Sequence, residues 1–198
     1  MAVNLSKGGR IDLQKTVPNL KRVRVGISWN ENKFNTGGAY DIDVSAFGLV
    51  HNAAGEAKLK SEEYFVFYNQ LATPNKEIVH SGDNRTGTGS GDDETLTIDV
   101  AAAMSVLDEI SFVITIHDAI TKKQNFGQIQ SARVNVYNDE DGSLIAQYNL
   151  EETFSNETAL QLGSLYKNPE GHIAFKAVGQ GFNVGLAEFV QGYGGQVA

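Results

Sequence analysis

The chain has 198 residues, 41% of them hydrophobic and 20% charged, enough for one domain with a full apolar core and too apolar for a disordered chain. Its 16 Lys and Arg against 24 Asp and Glu leave a net charge of −8, which repels phosphate backbones and argues against nucleic acid as a partner. Cysteine is absent, so disulfides, thiolate zinc sites, iron–sulfur clusters and cysteine nucleophiles are excluded.

From the N-terminus onward, period two dominates. Nothing approaches 18 consecutive apolar residues, and residues 1–10 lack the apolar core of a signal peptide, so the expected compartment is the cytoplasm, without membrane insertion. Short strands are expected at 3–5 and 11–13, then at 23–29 (VRVGISW) and 40–49 (YDIDVSAFGL), both dense in β-branched and aromatic residues. Further runs follow at 64–67, 77–80, 94–98, 110–117 (ISFVITIH), 132–138, 144–149, 159–166 and 173–178. Asp99 is placed to cap a short helix over 101–104, Asp141-Gly142 marks a hairpin, and 186–190 suits a helical turn or two. About a dozen short strands without a repeat or linker predict an all-β fold, a β-sandwich with a few short helices, in one domain over 1–198.

The segment 80–94 reads HSGDNRTGTGSGDDE. Between the flanking strands lie about a dozen aperiodic residues, a length at which loops are usually functional or disordered. Asp83, Asp92, Asp93 and Glu94 face only Arg85 in compensation, and Gly82, Gly87, Gly89 and Gly91 permit positive φ and inward-turned carbonyls. Carboxylates, the Asn84 amide and main-chain carbonyls together are the oxygen set that calcium takes, six to eight ligands at roughly 2.3–2.6 Å. The spacing is not an EF-hand: with Asp83 as position one, Glu94 falls at twelve, but Arg85, Gly87 and Thr88 stand at three, five and six. Nor is it a phosphate cradle, because Thr88-Gly89 replaces the Lys-Ser/Thr pair of a Walker loop and the acids repel a triphosphate.

Asp41 and Asp43 alternate with Tyr40, Ile42 and Val44, so the apolar set suits the core while the two carboxylates, roughly 6.5–7 Å apart, share the other face. They read either as rim ligands or as two solvated acids, and the loop either as an ion site or as an acidic connector. Should strand and loop meet, six carboxylates converge, and each pair at about 4 Å repels by roughly 4 kcal/mol at an effective dielectric of 20. One or two divalent cations would reverse that sign.

These residues carry a resemblance. The runs YDIDVSAF (40–47), FVFYNQ (65–70), HSGDNRTGTGSGDDE (80–94), ITIHDA (114–119), NFGQI (125–129) and FKAVGQGF (175–182), with the opening VNLSKGGRIDL and closing GLAEFVQGYG, resemble the TerD-type tellurium-resistance family over essentially the whole chain. The resemblance implies a cytoplasmic bacterial stress protein associated with resistance to tellurite, phages and pore-forming colicins, and not known for catalysis. It implies an all-β sandwich binding calcium, two ions being expected, through Asp41, Asp43, Asp83, Asn84, Asp92, Asp93 and Glu94. Arg85, Thr88 and Ser90 stand at loop slots where relatives often carry acidic or apolar residues.

Catalytic readings find little support. His117-Asp118 has the form of a metal-phosphohydrolase pair, but that fold is helical and these residues end a strand, so Asp118 is expected at most to touch the rim. No GxSxG elbow exists, Ser81 and Ser90 lie among anionic neighbours, and an Asp41/Glu63 glycosidase pair lacks the aromatic lining of a sugar cleft. His80 is expected to be structural, His51 and His172 to be solvated, and Trp29 to lie in the core. The expected function is non-enzymatic calcium binding, with other proteins of the same resistance system, some at the membrane, as partners. The alternative is a calcium-dependent carbohydrate-binding, lectin-like sandwich, against which the missing signal peptide and cysteines argue.

Overall fold

Alternating side chains sort each strand into one face that needs burial and one that does not, and two sheets satisfy this by packing their apolar faces together. The computed structural model describes residues 2–30, 40–82, 91–150 and 154–196. The six-stranded sheet runs in the order β1 (Val3–Leu5), β11 (Leu144–Asn149), β10 (Gln130–Asn138), β3 (Arg22–Asn30), β8 (Glu94–Asp99) and β7 (Ile78–His80). The other sheet runs β2 (Arg10–Asp12), β13 (Ile173–Phe182), β12 (Ala159–Lys167), β9 (Glu109–Ile116), β4 (Ile42–His51) and β5 (Ala57–Leu59), with β6 (Phe65–Val66) also paired to β4. Among the described residues all pairings are antiparallel except that of β1 with β11. Between the sheets lie Val23, Val25, Ile27 and Trp29 from one side and Ile42, Val44, Phe112 and Phe175 from the other.

Every expected strand is present, so the β-sandwich reading holds; the differences lie at the ends. The run 11–13 stops at Asp12 because the Asp12 carboxylate accepts the Lys15 N–H at 2.8 Å and caps a turn, α1 (Leu13–Thr16). Asp99 caps α2 (Val100–Val106) as expected, accepting the Ala102 N–H at 2.9 Å. Unforeseen were β5, α3 (Ala119–Lys122) and the 3-10 turns Glu62–Tyr64 and Phe126–Gln128, all too short for a period to register. Among the described residues no helix is long and apolar enough to cross a membrane.

The closing helix α4 (Leu186–Gly192) has a larger part than its length suggests. It lies over the outer face of the β4 sheet, where Phe47, Leu49, Val113, Ala159, Phe189 and Val190 form a second buried cluster. Phe47 stacks on Phe65 with ring centroids 4.7 Å apart and meets Tyr193 at 5.1 Å. Strand β4 is therefore buried on both faces from Ile42 to Leu49, which its alternating sequence conceals. Burying one such Phe contributes about 1.5–3 kcal/mol.

At the entry to β7, Glu77 is 3% exposed yet fully provided for. Its carboxylate accepts from Thr73 Oγ1 at 2.6 Å, Asn75 Nδ2 at 3.1 Å, the Asn75 N–H at 3.2 Å and Tyr64 Oη at 3.3 Å. Burial pushes this carboxyl upward, but the Thr73 and Asn75 donors outweigh it and hold it below its ordinary 4.5. A lowered folded value means stability that is present above pH 4.5 and lost as pH falls through the folded value. Glu77→Gln should therefore cost about 1–3 kcal/mol at pH 7. In urea unfolding series the gap from the parent should narrow as pH drops below 4.5; a pH-independent gap would remove the charge from the account.

Candidate functional site

The acidic loop joins β7 to β8, and the described residues show how its two ends are fastened. At the outgoing end the His80 ring is buried, accepts the Gly82 N–H on Nδ1 at 2.9 Å and donates from Nε2 to the Val44 carbonyl at 3.1 Å. Ser81 donates its N–H to Thr95 O, and its Oγ accepts the Thr95 N–H, holding the stem of the hairpin. Gly82 and Gly91 have φ of 106° and 117°, a region side chains rarely adopt, so glycine is required at both mouths of the loop. Asp83 and Asn84 lie outside the described residues, as do Gly87 and Gly89.

At the returning end three successive acids take three directions. Asp92 lies over the outer face of the six-stranded sheet, where Arg24 Nη1 is 3.2 Å from Oδ2 and Asn135 Nδ2 donates to Oδ1 at 2.7 Å. The fit is close because residue 26 is glycine: a Cβ there would overlap the Asp92 carboxylate. Tyr137 joins the cluster, its ring 4.0 Å beneath the Arg24 guanidinium, and its hydroxyl is raised to about 12 by burial and by the adjacent Asp92. Asp93 accepts the Trp29 N–H at 3.0 Å and donates its own N–H to Ile27 O at 2.7 Å. Glu94 points between the sheets, 1% exposed, and its Oε2 accepts the Val44 N–H at 2.7 Å.

Val44 ties this end to the second acidic element. Both of its peptide groups turn away from β9 and toward β7 and β8, where His80 and Glu94 meet them. One residue earlier, Asp43 is 5% exposed rather than solvated. Its Oδ2 lies 3.9 Å from His117 Nδ1, in a cleft of about 570 Å³ shared with Tyr68, Asp118, Asn183 and Glu188. Asp41 is half-buried, with Lys122 Nζ 3.9 Å from Oδ2 and the His117 N–H donated to its carbonyl. Asp118 lines that cleft with φ of 55°. The strand and the loop end do meet, through Glu94 and the Val44 peptide, while Asp43 and Asp92 face opposite outer surfaces of the sandwich.

Two histidines expected to be solvated have partners. His51 Nε2 lies 3.2 Å from Glu109, and His172 Nδ1 lies 2.9 Å from Asp12. Asp12, Glu170 and His172 form the group of three such side chains, among the described residues, that comes within metal-ligand reach. Lys15 already supplies its cation, 2.6 Å from Glu170 and 3.9 Å from Asp12. Sequence spacing gave no signal for this trio, because its members come from β2 and from the turn between β12 and β13.

Comparison with known proteins places these features in context. The TerD domain is matched over residues 1–193. General stress protein 16U of Bacillus subtilis (strain 168) is 46% identical over 197 residues, covering 100% of each chain, and tellurium resistance protein TerD of Serratia marcescens is 43% identical over 194 residues, covering 98% of each. The crystal structure of a homologue of telluride resistance protein (TerD) from Streptomyces coelicolor A3(2) is similar at a TM-score of 0.69 and 20% identity, covering 88% of this chain and 98% of that one. At that identity the likeness carries the fold alone.

The close seating of Asp92 on residue 26 is open to test. Gly26→Ala should destabilise the protein by about 1–3 kcal/mol through overpacking. In an Asp92→Gly background the same change should cost at least about 1 kcal/mol less, a coupling that a double-mutant cycle in urea reads directly. Strict additivity would show that Asp92 does not occupy the space above Gly26.

Proposed function

This chain belongs to the TerD domain family, matched over residues 1–193, and from that premise we propose that it is a non-enzymatic calcium-binding stress protein of the tellurite-resistance type. The relatives' names, a general stress protein and a tellurium resistance protein, support the class. The observation that carries the calcium reading is the fastening of both ends of the acidic loop onto Val44, one residue from Asp43. A cation held by the loop is thereby coupled to the strand that bears Asp41 and Asp43.

The donor set suits a hard ion. Asp41, Asp43, Asp83, Asn84, Asp93 and Glu94 offer oxygen, and both nitrogens of His80 are occupied by main-chain bonds. Asp92, the remaining acid of the motif, has the guanidinium of Arg24 against it, so its work is to anchor the returning chain. Calcium would neutralise the acids that crowd this end and order the loop against β4, changing the charge and shape that a partner reads. The partners of this reading are other proteins of the same resistance system, some at the membrane, met by this chain in the cytoplasm.

Calorimetric titration should give saturable calcium binding with weak competition by magnesium, whose strict octahedron suits a flexible oxygen-rich loop poorly. No calcium heat, or equal affinity for magnesium, would refute the reading. Asp93→Asn should lower calcium stoichiometry or affinity, while Asp92→Asn should keep the stoichiometry and lose stability. Calcium at about 100 times its Kd should add roughly 2.7 kcal/mol, and this gain should persist at about 0.15 M salt, where the Debye length is roughly 8 Å. Under chelation at fixed ionic strength the amides of Gly82 and of Gly91 to Asp93 should exchange faster while β3 and β9 stay protected. Unchanged protection would leave calcium as a passive surface ion.

A further inference from the structure

The part of the outer sheet face that α4 leaves open holds a second cavity, none of whose lining residues belongs to the acidic loop. It has a volume of about 490 Å³, within the range of small-molecule sites. Its floor is Ser164, 3% exposed, at the centre of β12. On one side the register sets Arg10 of β2 directly opposite Lys176 of β13, which in turn lies opposite Ser164. Two cations as direct cross-strand neighbours repel each other unless an anion lies between them. Among the described residues neither has a carboxylate within salt-bridge distance, although the chain carries eight excess negative charges and Lys15, Lys21, Arg22, Arg24 and Lys122 each face one. Lys167 adds a third cation to the same lining.

The opposite wall is different in kind. Across β12, two strand spacings or about 10 Å away, stand Glu109 and Asp108, which accept from the ring and the main chain of His51. Between the walls lie hydroxyl and amide groups: Tyr166 at one end, Gln161 and Gln180 at the other. Gln161 is held in place by its Nε2, which donates to Ser111 Oγ at 3.0 Å. A guanidinium fork beside an ammonium suits a dianionic phosphoryl group. Amides, hydroxyls and carboxylate acceptors suit neutral hydroxyl groups, and the carboxylates repel a second phosphate. We propose that this cavity binds a phosphorylated polyol of sugar-phosphate size, with its phosphoryl group on Arg10 and Lys176 and its hydroxyls toward Gln161, Gln180 and Glu109.

The proposal is independent of calcium, so its test is run on the full chain in chelator at fixed ionic strength, with glucose 6-phosphate, inorganic phosphate and glucose as probes. Calorimetry should show saturable binding of glucose 6-phosphate, about tenfold or more tighter than inorganic phosphate, a difference of roughly 1.4 kcal/mol, and no binding of glucose. Amide shifts in NMR spectra should centre on Arg10, Gln161, Ser164 and Lys176. A double variant, Arg10→Ala with Lys176→Ala, should lose at least about tenfold in affinity while keeping its circular dichroism, and Lys176→Arg should retain binding. The proposal is overturned by an absence of saturable binding up to about 10 mM, a free energy near −2.7 kcal/mol, by equal affinity for inorganic phosphate, or by undiminished binding in the double variant.

Discussion

The Val44 peptide is where the two sheets are clasped together at the loop end. Strand β4 pairs with β9 on one edge, and on the other edge its pairing with β6 begins only at Ala46, so the N–H and C=O of Val44 need partners from elsewhere. Glu94 supplies an acceptor and His80 a donor, and both side chains come from the facing sheet. A buried peptide left without partners costs about 1–3 kcal/mol per group, so the clasp also sets where β7 and β8 can sit. The Gly82 N–H on His80 Nδ1 fixes the proton on Nε2, the atom that must donate to the carbonyl. From this one peptide the hairpin, its acidic loop and the Asp43 strand take their relative positions.

Charge is distributed around that clasp with consistent logic. Acids with a structural part are given donors: Glu77 by Thr73 and Asn75, Asp92 by Arg24 and Asn135, Asp12 by Lys15 and His172. The Asp12 carboxyl is pushed up by burial, yet the Lys15 amide and His172 pull it below its ordinary range. Asp93 and Glu94 are met in the same way, by the main-chain N–H groups of Trp29 and Val44. On the outer face of the β13 sheet, by contrast, Arg10 and Lys176 stand opposed with no carboxylate within salt-bridge distance among the described residues.

What the sequence determined by itself was the set of elements and the identity of the loop. Alternation is a local property, so the strands, the Asp99 cap, the Asp141-Gly142 hairpin and the core positions of Ile42, Val44 and Trp29 were all legible without coordinates. The run from His80 to Glu94 was legible too, because four acids and four glycines in one aperiodic stretch are a compositional signal, and the family resemblance rested on it.

Only tertiary structure decided where those residues face. Adjacent acids look equivalent in sequence, yet Asp92, Asp93 and Glu94 separate onto the outer sheet surface, the Trp29 amide and the sheet interior, because each meets a different strand. The second core beneath α4 joins Phe47 to a helix more than 130 positions away, and no window of local pattern contains both. The opposition of Arg10 and Lys176 arises only when β2 pairs with β13. Periodicity reports which side of its own strand a residue occupies, whereas its partner across a sheet or between sheets is set by register and packing, which are properties of the whole chain.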